Sequence, residues 1–142
     1  MIGNPGGMTL TEVLITIFII TIGLVAVATG MLLATAGVAA GQQQTTAAFL
    51  TEQRLEDIKA FALSTTDSAQ GWTNVTSANF PAEAYNSITN YPTYRRTTTI
   101  TTPVGSTTIK QVTVSVFWFP VGIAATTAER SVTATFILSS RS

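Results

Sequence analysis

The chain has 142 residues, of which 46% are hydrophobic and only 10% charged, with seven Lys+Arg against seven Asp+Glu. That length holds one domain, and the zero net charge gives no basic excess for nucleic acid. It contains no Cys and no His, which removes disulfides, thiolate catalysis, imidazole acid–base chemistry and most zinc sites, so no enzyme is expected and no cofactor or metal.

Residues 1–7 hold one Pro and three Gly and read as a leader segment. Residues 1–51 contain a single charge, Glu12, and the other thirteen lie between Glu52 and Arg141. A bilayer core takes about 20 apolar helical residues at about 1.5 Å each. The run from Met8 to Ala40, uncharged from Val13 on, is long enough to span it. No Pro falls between Pro5 and Pro81, so the helix is expected to continue to Leu63, a rod of roughly 84 Å. A cleaved secretory signal is the competing reading, with Val38-Ala39-Ala40 as a small-residue cleavage site. The apolar run is longer than the usual 7–15 residue core of such signals, and no basic residue precedes it.

Gly23, Gly30 and Gly37 recur every seven residues near one helical face, and Gly37 and Gly41 form G-x-x-x-G. Such a face lets a neighbouring helix approach closely, although Gly is also simply common in membrane helices. After Gln42–Gln44 the helix becomes amphipathic. Ala48, Leu55, Ile58 and Ala62, with Phe61, form an apolar side, and Glu52, Arg54, Glu56, Asp57 and Lys59 take the rest. Residues 64–93 read as a packed loop carrying Trp72, Phe80, Tyr85 and Tyr91. Strands follow at 94–102, 107–119 and 129–138, with a turn at Pro103–Ser106. Val112, Val114, Val116 and Trp118 share one face of the second strand; Val132, Ala134, Phe136 and Leu138 share one face of the third. The expected fold is α+β: a long helix, apolar then amphipathic, packed on a three-stranded antiparallel β-meander. It divides into a leader (1–7), a membrane or filament-core helix (8–41) and a globular head (42–142).

Glu12 is the informative residue. A carboxylate in an apolar helix costs about 2.5–3.5 kcal/mol at a membrane centre and less near the interface. Thr9-x-x-Glu12 has the spacing of a capping box, which would offset part of this cost. A free α-amino group created by cleavage before Met8 would offset more.

The run Gly7-Met8-Thr9-Leu10-Thr11-Glu12-Val13-Leu14-Ile15 resembles the processing signal of type IV pilins and type II secretion pseudopilins. The resemblance implies cleavage after Gly7 by a prepilin peptidase, N-methylation of Met8, and pairing of Glu12 with a neighbouring subunit's N-terminus. It also implies the pilin fold, other pilin or pseudopilin subunits and an inner-membrane assembly platform as partners, and a lipid bilayer before assembly. The implied location is the bacterial inner membrane, N-terminus cytoplasmic and head periplasmic, then a pilus or pseudopilus. Within the family, Ala47–Phe61 resembles PilV-type minor pilins and I-type pseudopilins. The chain departs from the family in three ways. Its leader has no basic residue, Met8 stands where Phe is commoner, and it has neither the helix proline nor the C-terminal cysteine pair of many major pilins. An anchored binding domain that never polymerises is the alternative of another class.

Several smaller features carry two readings each. Arg95-Arg96 beside Tyr91 and Tyr94 is either a nucleic-acid contact or, more simply, a solvated strand edge. In Phe117-Trp118-Phe119, alternation puts Trp118 inward and both Phe outward, toward a subunit contact. Asn74-Val75-Thr76 is a glycosylation sequon that matches readily by chance. Glu56, Asp57 and Asp67 are either cation ligands or plain surface.

Overall fold

The first turn of the helix is built by Thr9. Its Oγ1 accepts a hydrogen bond from the Glu12 N–H at 3.3 Å, the capping geometry that the Thr9-x-x-Glu12 spacing anticipates. With no interior Pro, the backbone then stays helical as α1, Leu10–Leu63. The computed structural model describes residues 7–64, 69–120 and 128–140. The expected leader, 1–7, lies outside these except for Gly7.

The chain divides into two compact units, Met1–Val38 and Ala39–Ser142. In the first, the apolar window of α1 has none of its side chains buried within the chain. In the second, α1 buries Ala47, Leu50, Thr51 and Ile58. The apolar side expected at Ala48, Leu55, Ile58 and Ala62 holds at Leu55, Ile58 and Ala62, which join Phe61 against the head core, and is offset only at Ala48. Ile58 is buried, while Ala48, Leu55, Phe61 and Ala62 are half-buried. The offset follows from the sheet: Ala47 and Leu50 meet the bulky Tyr94 and Trp118, which a small residue at 47 lets approach.

Three strands form one antiparallel sheet in the order β1 (Tyr94–Thr101), β2 (Ile109–Trp118), β3 (Arg130–Ser139). The α+β meander is the expected architecture, with strand ends within two residues of the sequence limits. Register pairs Arg96 with Val116 and Val112 with Phe136. The β1–β2 turn falls at Pro103–Ser106, closed by a Ser106 N–H to Pro103 carbonyl bond of 3.1 Å, with Gly105 at φ +82°. As the middle strand, β2 has Val112, Val114 and Val116 at 0% exposure. The inward residues of β3 (Val132, Ala134, Phe136 and Leu138) are only half-buried. The opposite face is a Thr/Ser surface with cross-strand hydroxyl pairs Ser115–Thr133 (2.8 Å) and Thr113–Thr135 (3.0 Å).

The segment between α1 and β1 is packed, as expected, but through other residues too. Val75, Phe80 and Ile88 are buried, whereas Trp72, Tyr85 and Tyr91 are half-buried. It contains a short 3-10 helix, Trp72–Asn74. The carbonyl of Phe61, near the end of α1, accepts from the Gly71 N–H at 2.9 Å. Gly71 sits at φ +98° with the Ser64 carbonyl 3.3 Å from where a Cβ would stand, so only Gly fits there without strain.

Candidate functional site

The N-terminal segment is exposed along its described length to Thr35. Gly7 and Met8 precede the helix and are exposed, Met8 at 66%. Glu12 lies in the first helical turn, also exposed, and among the described residues no cation stands within ion-pair distance of it. The large apolar side chains from Leu10 to Leu33, Phe18, Ile19, Leu24 and Met31 among them, are all exposed.

The hydroxyls of this helix satisfy themselves. Thr16, Thr21 and Thr29 donate to the carbonyls of Glu12, Ile17 and Val25, at 2.7–2.9 Å. In an apolar medium an unpaired hydroxyl is expensive, so this back-bonding makes the threonines compatible with lipid or a dry helix bundle. A Cβ built on Gly23, Gly30, Gly37 or Gly41 meets nothing within 4 Å. The open space at these glycines serves no packing inside the chain.

The head is held by charges instead. Arg96 is 5% exposed. Its Nε donates to Glu83 Oε2 at 2.6 Å, and Nη1 donates to the Leu50 carbonyl of α1 at 2.9 Å. Arg54 from α1 approaches Glu83 at 3.9 Å, donates to the Pro81 carbonyl at 3.3 Å, and lies over the Phe80 ring. Burial pulls its guanidinium below the usual range, with Glu83 opposing. Helix, connecting segment and sheet are thus tied through one carboxylate. Neither reading of Arg95-Arg96 survives at Arg96: it is an interior residue, because the strand alternation that puts Trp118 inward puts Arg96 inward as well.

Arg95 faces outward, where a second network occupies it. Its Nε and Nη2 donate to Glu129 Oε1 and Oε2 at 2.6 and 2.5 Å, a two-pronged pair. Tyr85 donates to the same carboxylate at 2.5 Å, and the guanidinium stacks 3.9 Å over Phe117. Arg95 first, then Tyr85, holds the Glu129 carboxyl at about 2. The same contacts leave Phe117 covered by Arg95, while Phe119 stacks on Tyr85 and stays 48% exposed. Of the two outward phenylalanines, only Phe119 thus offers an open face.

Lys110 fills the remaining polar gap. Its Nζ donates to the Trp72 and Val75 carbonyls, both at 2.8 Å, and burial lowers its pKa. Glu56 pairs with Lys59 at 2.6 Å. Asp67 lies outside the described residues. Among the described residues no three His, Cys, Asp or Glu converge on a metal position. The Asn74 amide donates to the Gln70 carbonyl at 3.1 Å, so the sequon asparagine is engaged within the fold. Sequence reasoning passed over Glu83 and Glu129 as carboxylates of no special setting. Their partners lie 13 and 34 residues away, and no local spacing reports such pairs.

Residues 4–28 match a family model described as the prokaryotic N-terminal methylation motif. The match covers Gly7, Met8, Glu12 and the first turns of α1. Comparison with curated proteins and with solved structures gave no match.

Proposed function

We propose that this chain, which its methylation motif marks as a type IV pilin-like or pseudopilin subunit, is a minor pilin cleaved after Gly7 and N-methylated at Met8. Its part is structural, not catalytic. The observation that carries the reading is a methylation motif running straight into a helix whose apolar window has no side chain buried within the chain. Such a helix is stable in lipid. It is equally stable among other helices of its kind, because both surroundings are apolar and transfer between them costs little. What lipid does not offer Glu12 is a fixed cation. A neighbouring subunit's Met8 amine supplies one, neutralising the carboxylate and setting the axial register of the helices.

In this reading, a prepilin peptidase and methyltransferase processes the chain at the inner membrane, an assembly platform draws it from the bilayer, and Gly23, Gly30, Gly37 and Gly41 admit neighbouring helices. The head faces outward and carries whatever specificity the subunit has. A type II secretion pseudopilin is the second reading, favoured by the small three-stranded head without cysteines and by the likeness of Ala47–Phe61 to I-type sequences.

The test is N-terminal sequencing and intact mass of the chain from native membranes and from sheared filaments. The proposal expects a chain beginning at methylated Met8 in both fractions. An uncut chain confined to membranes would replace it with a single-pass anchored domain.

A further inference from the structure

The two edges of the sheet are treated differently. In an antiparallel strand, successive residues send N–H and C=O to opposite sides. On β1, Arg96 exchanges two backbone bonds with Glu83, each 2.8 Å. The Ile100 N–H donates to Ser77 Oγ at 3.1 Å, and the Tyr94 N–H to the Tyr91 carbonyl at 3.2 Å. Even-numbered residues of β1 therefore face away from β2, and the connecting segment caps three of them. Carried through the register, the same parity leaves Ser131, Thr133, Thr135 and Ile137 of β3 pointing away from the sheet. Among the described residues their backbone groups have no partner.

Among the described residues nothing pairs with this edge. From Ser131 to Ser140 there is no charge and no Pro, the devices that usually keep an edge strand from pairing. Ile137 is 70% exposed. Beside the edge lies a groove of about 520 Å³ lined by Ala62, Leu63, Trp72, Phe136 and Leu138, with Lys59 on its rim. The inward side chains of β3, Val132, Ala134, Phe136 and Leu138, are only half-buried.

We propose that the β3 edge and this groove form an acceptor site for an extended strand from a different protein. Unpaired backbone in this alternation is satisfied only by another extended backbone. The groove selects apolar side chains at alternate positions of that strand. The exposed cation at the start of the strand, Arg130, favours a segment uncharged in its middle and acidic at the end beside it, whereas Lys59 at the other end is already paired with Glu56. A second copy of this chain is the poorer occupant. Its β1 edge is capped, and β3–β3 pairing requires a two-fold axis normal to the sheet. That axis would run the α1 residues packed on the two sheets in opposite directions, whereas copies anchored in one membrane share a direction. This choice of partner, though not the site itself, rests on the pilin reading.

The probe is the acetylated, amidated peptide Glu-Thr-Val-Thr-Leu-Thr-Val-Thr-Glu, added to the full chain in detergent micelles, with amide hydrogen exchange as the readout. In the free protein, Thr133, Thr135 and Ile137 amides should exchange far faster than those of β2. Saturating peptide should slow them at least about tenfold, leaving β2 unchanged. Thr135→Pro, tolerated where the N–H faces solvent, and Ile137→Lys, which adds an edge charge, should each abolish the slowing. Edge amides already as protected as those of Val114, no saturable slowing, or slowing that persists in both variants would overturn the site. A peptide-free dimer that Ile137→Lys abolishes would make the occupant a second copy and overturn the partner assignment. Neither result bears on cleavage at Gly7, which mass spectrometry reads separately.

Discussion

Replacing Arg96 by methionine tests whether the head depends on the tie between α1, the connecting segment and the sheet. Methionine keeps much of the aliphatic stem but removes both charge-assisted bonds, to Glu83 at 2.6 Å and to the Leu50 carbonyl at 2.9 Å. Hydrogen bonds to charged groups contribute about 1.5–3 kcal/mol each, and breaking one side of a fully buried pair costs about 3–5 kcal/mol. The Glu83 side chain is 26% exposed and Arg54 remains 3.9 Å from it, so the stranded carboxylate keeps some water and a second cation. The loss should therefore be about 2–3 kcal/mol, at the low end for buried pairs.

Both tryptophans, Trp72 and Trp118, belong to the unit Ala39–Ser142, and Trp118 is 4% exposed, so their fluorescence reports the head in the intact chain. With an m-value of about 1–1.5 kcal/mol per molar urea, the midpoint should fall by about 2 M. Arg96→Lys keeps the charge but carries its donors on a single nitrogen, which spans Glu83 and the Leu50 carbonyl less well than the separate Nε and Nη1 of the guanidinium, so its midpoint should lie between the two. Combining Arg96→Met with Glu83→Ala should cost at least about 1 kcal/mol less than the sum of the single changes. An Arg96→Met midpoint within about 0.5 kcal/mol of wild type, or strictly additive single changes, would refute the view that this carboxylate unites three elements.

Other outcomes follow from the same contacts. Glu12→Ala should leave membrane insertion intact and lower incorporation into sheared filaments; normal incorporation would count against its pairing with a neighbouring amine. Gly30→Ala should stabilise the isolated helix by about 1 kcal/mol, since nothing in the chain lies within 4 Å of the new methyl, yet reduce incorporation by crowding the neighbour. The Glu129 carboxyl, held at about 2 when folded, favours the folded head wherever it is ionised. That contribution is complete above the ordinary carboxylate range of about 4 and is lost as pH falls toward 2. Because the pair is partly exposed it should amount to about 1 kcal/mol or less, and Glu129→Gln should flatten the acid limb of a urea-midpoint profile. Leu50→Ala, at 0% exposure, should cost about 2–5 kcal/mol by the same fluorescence assay.

Most of this fold was legible because its signals are periodic. A long run without charge or Pro dictates α1, and strict alternation dictates β2 and β3, together with the inward direction of Trp118 and the three valines. The pairing of charges was not legible. Arg96 lies next to Arg95 in sequence, but one residue of strand alternation separates an interior tie from a surface pair. The local composition, Tyr-Arg-Arg-Thr, is that of a solvated edge. Only the sheet, once built, shows that position 96 faces α1. The helix stripe was legible at Leu55, Ile58, Phe61 and Ala62, which meet the core, and off by one residue at Ala48: Ala47 and Ala48 are equivalent in sequence, and only the bulk of Tyr94 and Trp118 opposite decides between them.

The two units solve the burial problem in opposite ways, and this explains where each kind of residue was found. Among its described residues the stretch to Val38 buries no side chain, and Thr16, Thr21 and Thr29 satisfy their hydroxyls locally, so under the proposed function its residues act through lipid or other subunits. The head cannot do this. Its core is small and its inner β1 face carries Tyr94, Arg96 and Thr98 opposite Trp118, Val116 and Val114 of β2. A small apolar core supplies little stability, so charge-assisted bonds from Arg54, Arg96 and Lys110 tie the connecting segment down instead. Substitutions in the first unit should therefore register in assembly assays with no change in head unfolding, and substitutions in the ion network should do the reverse. A Glu12 or Gly30 variant that shifted the tryptophan unfolding midpoint would break this separation.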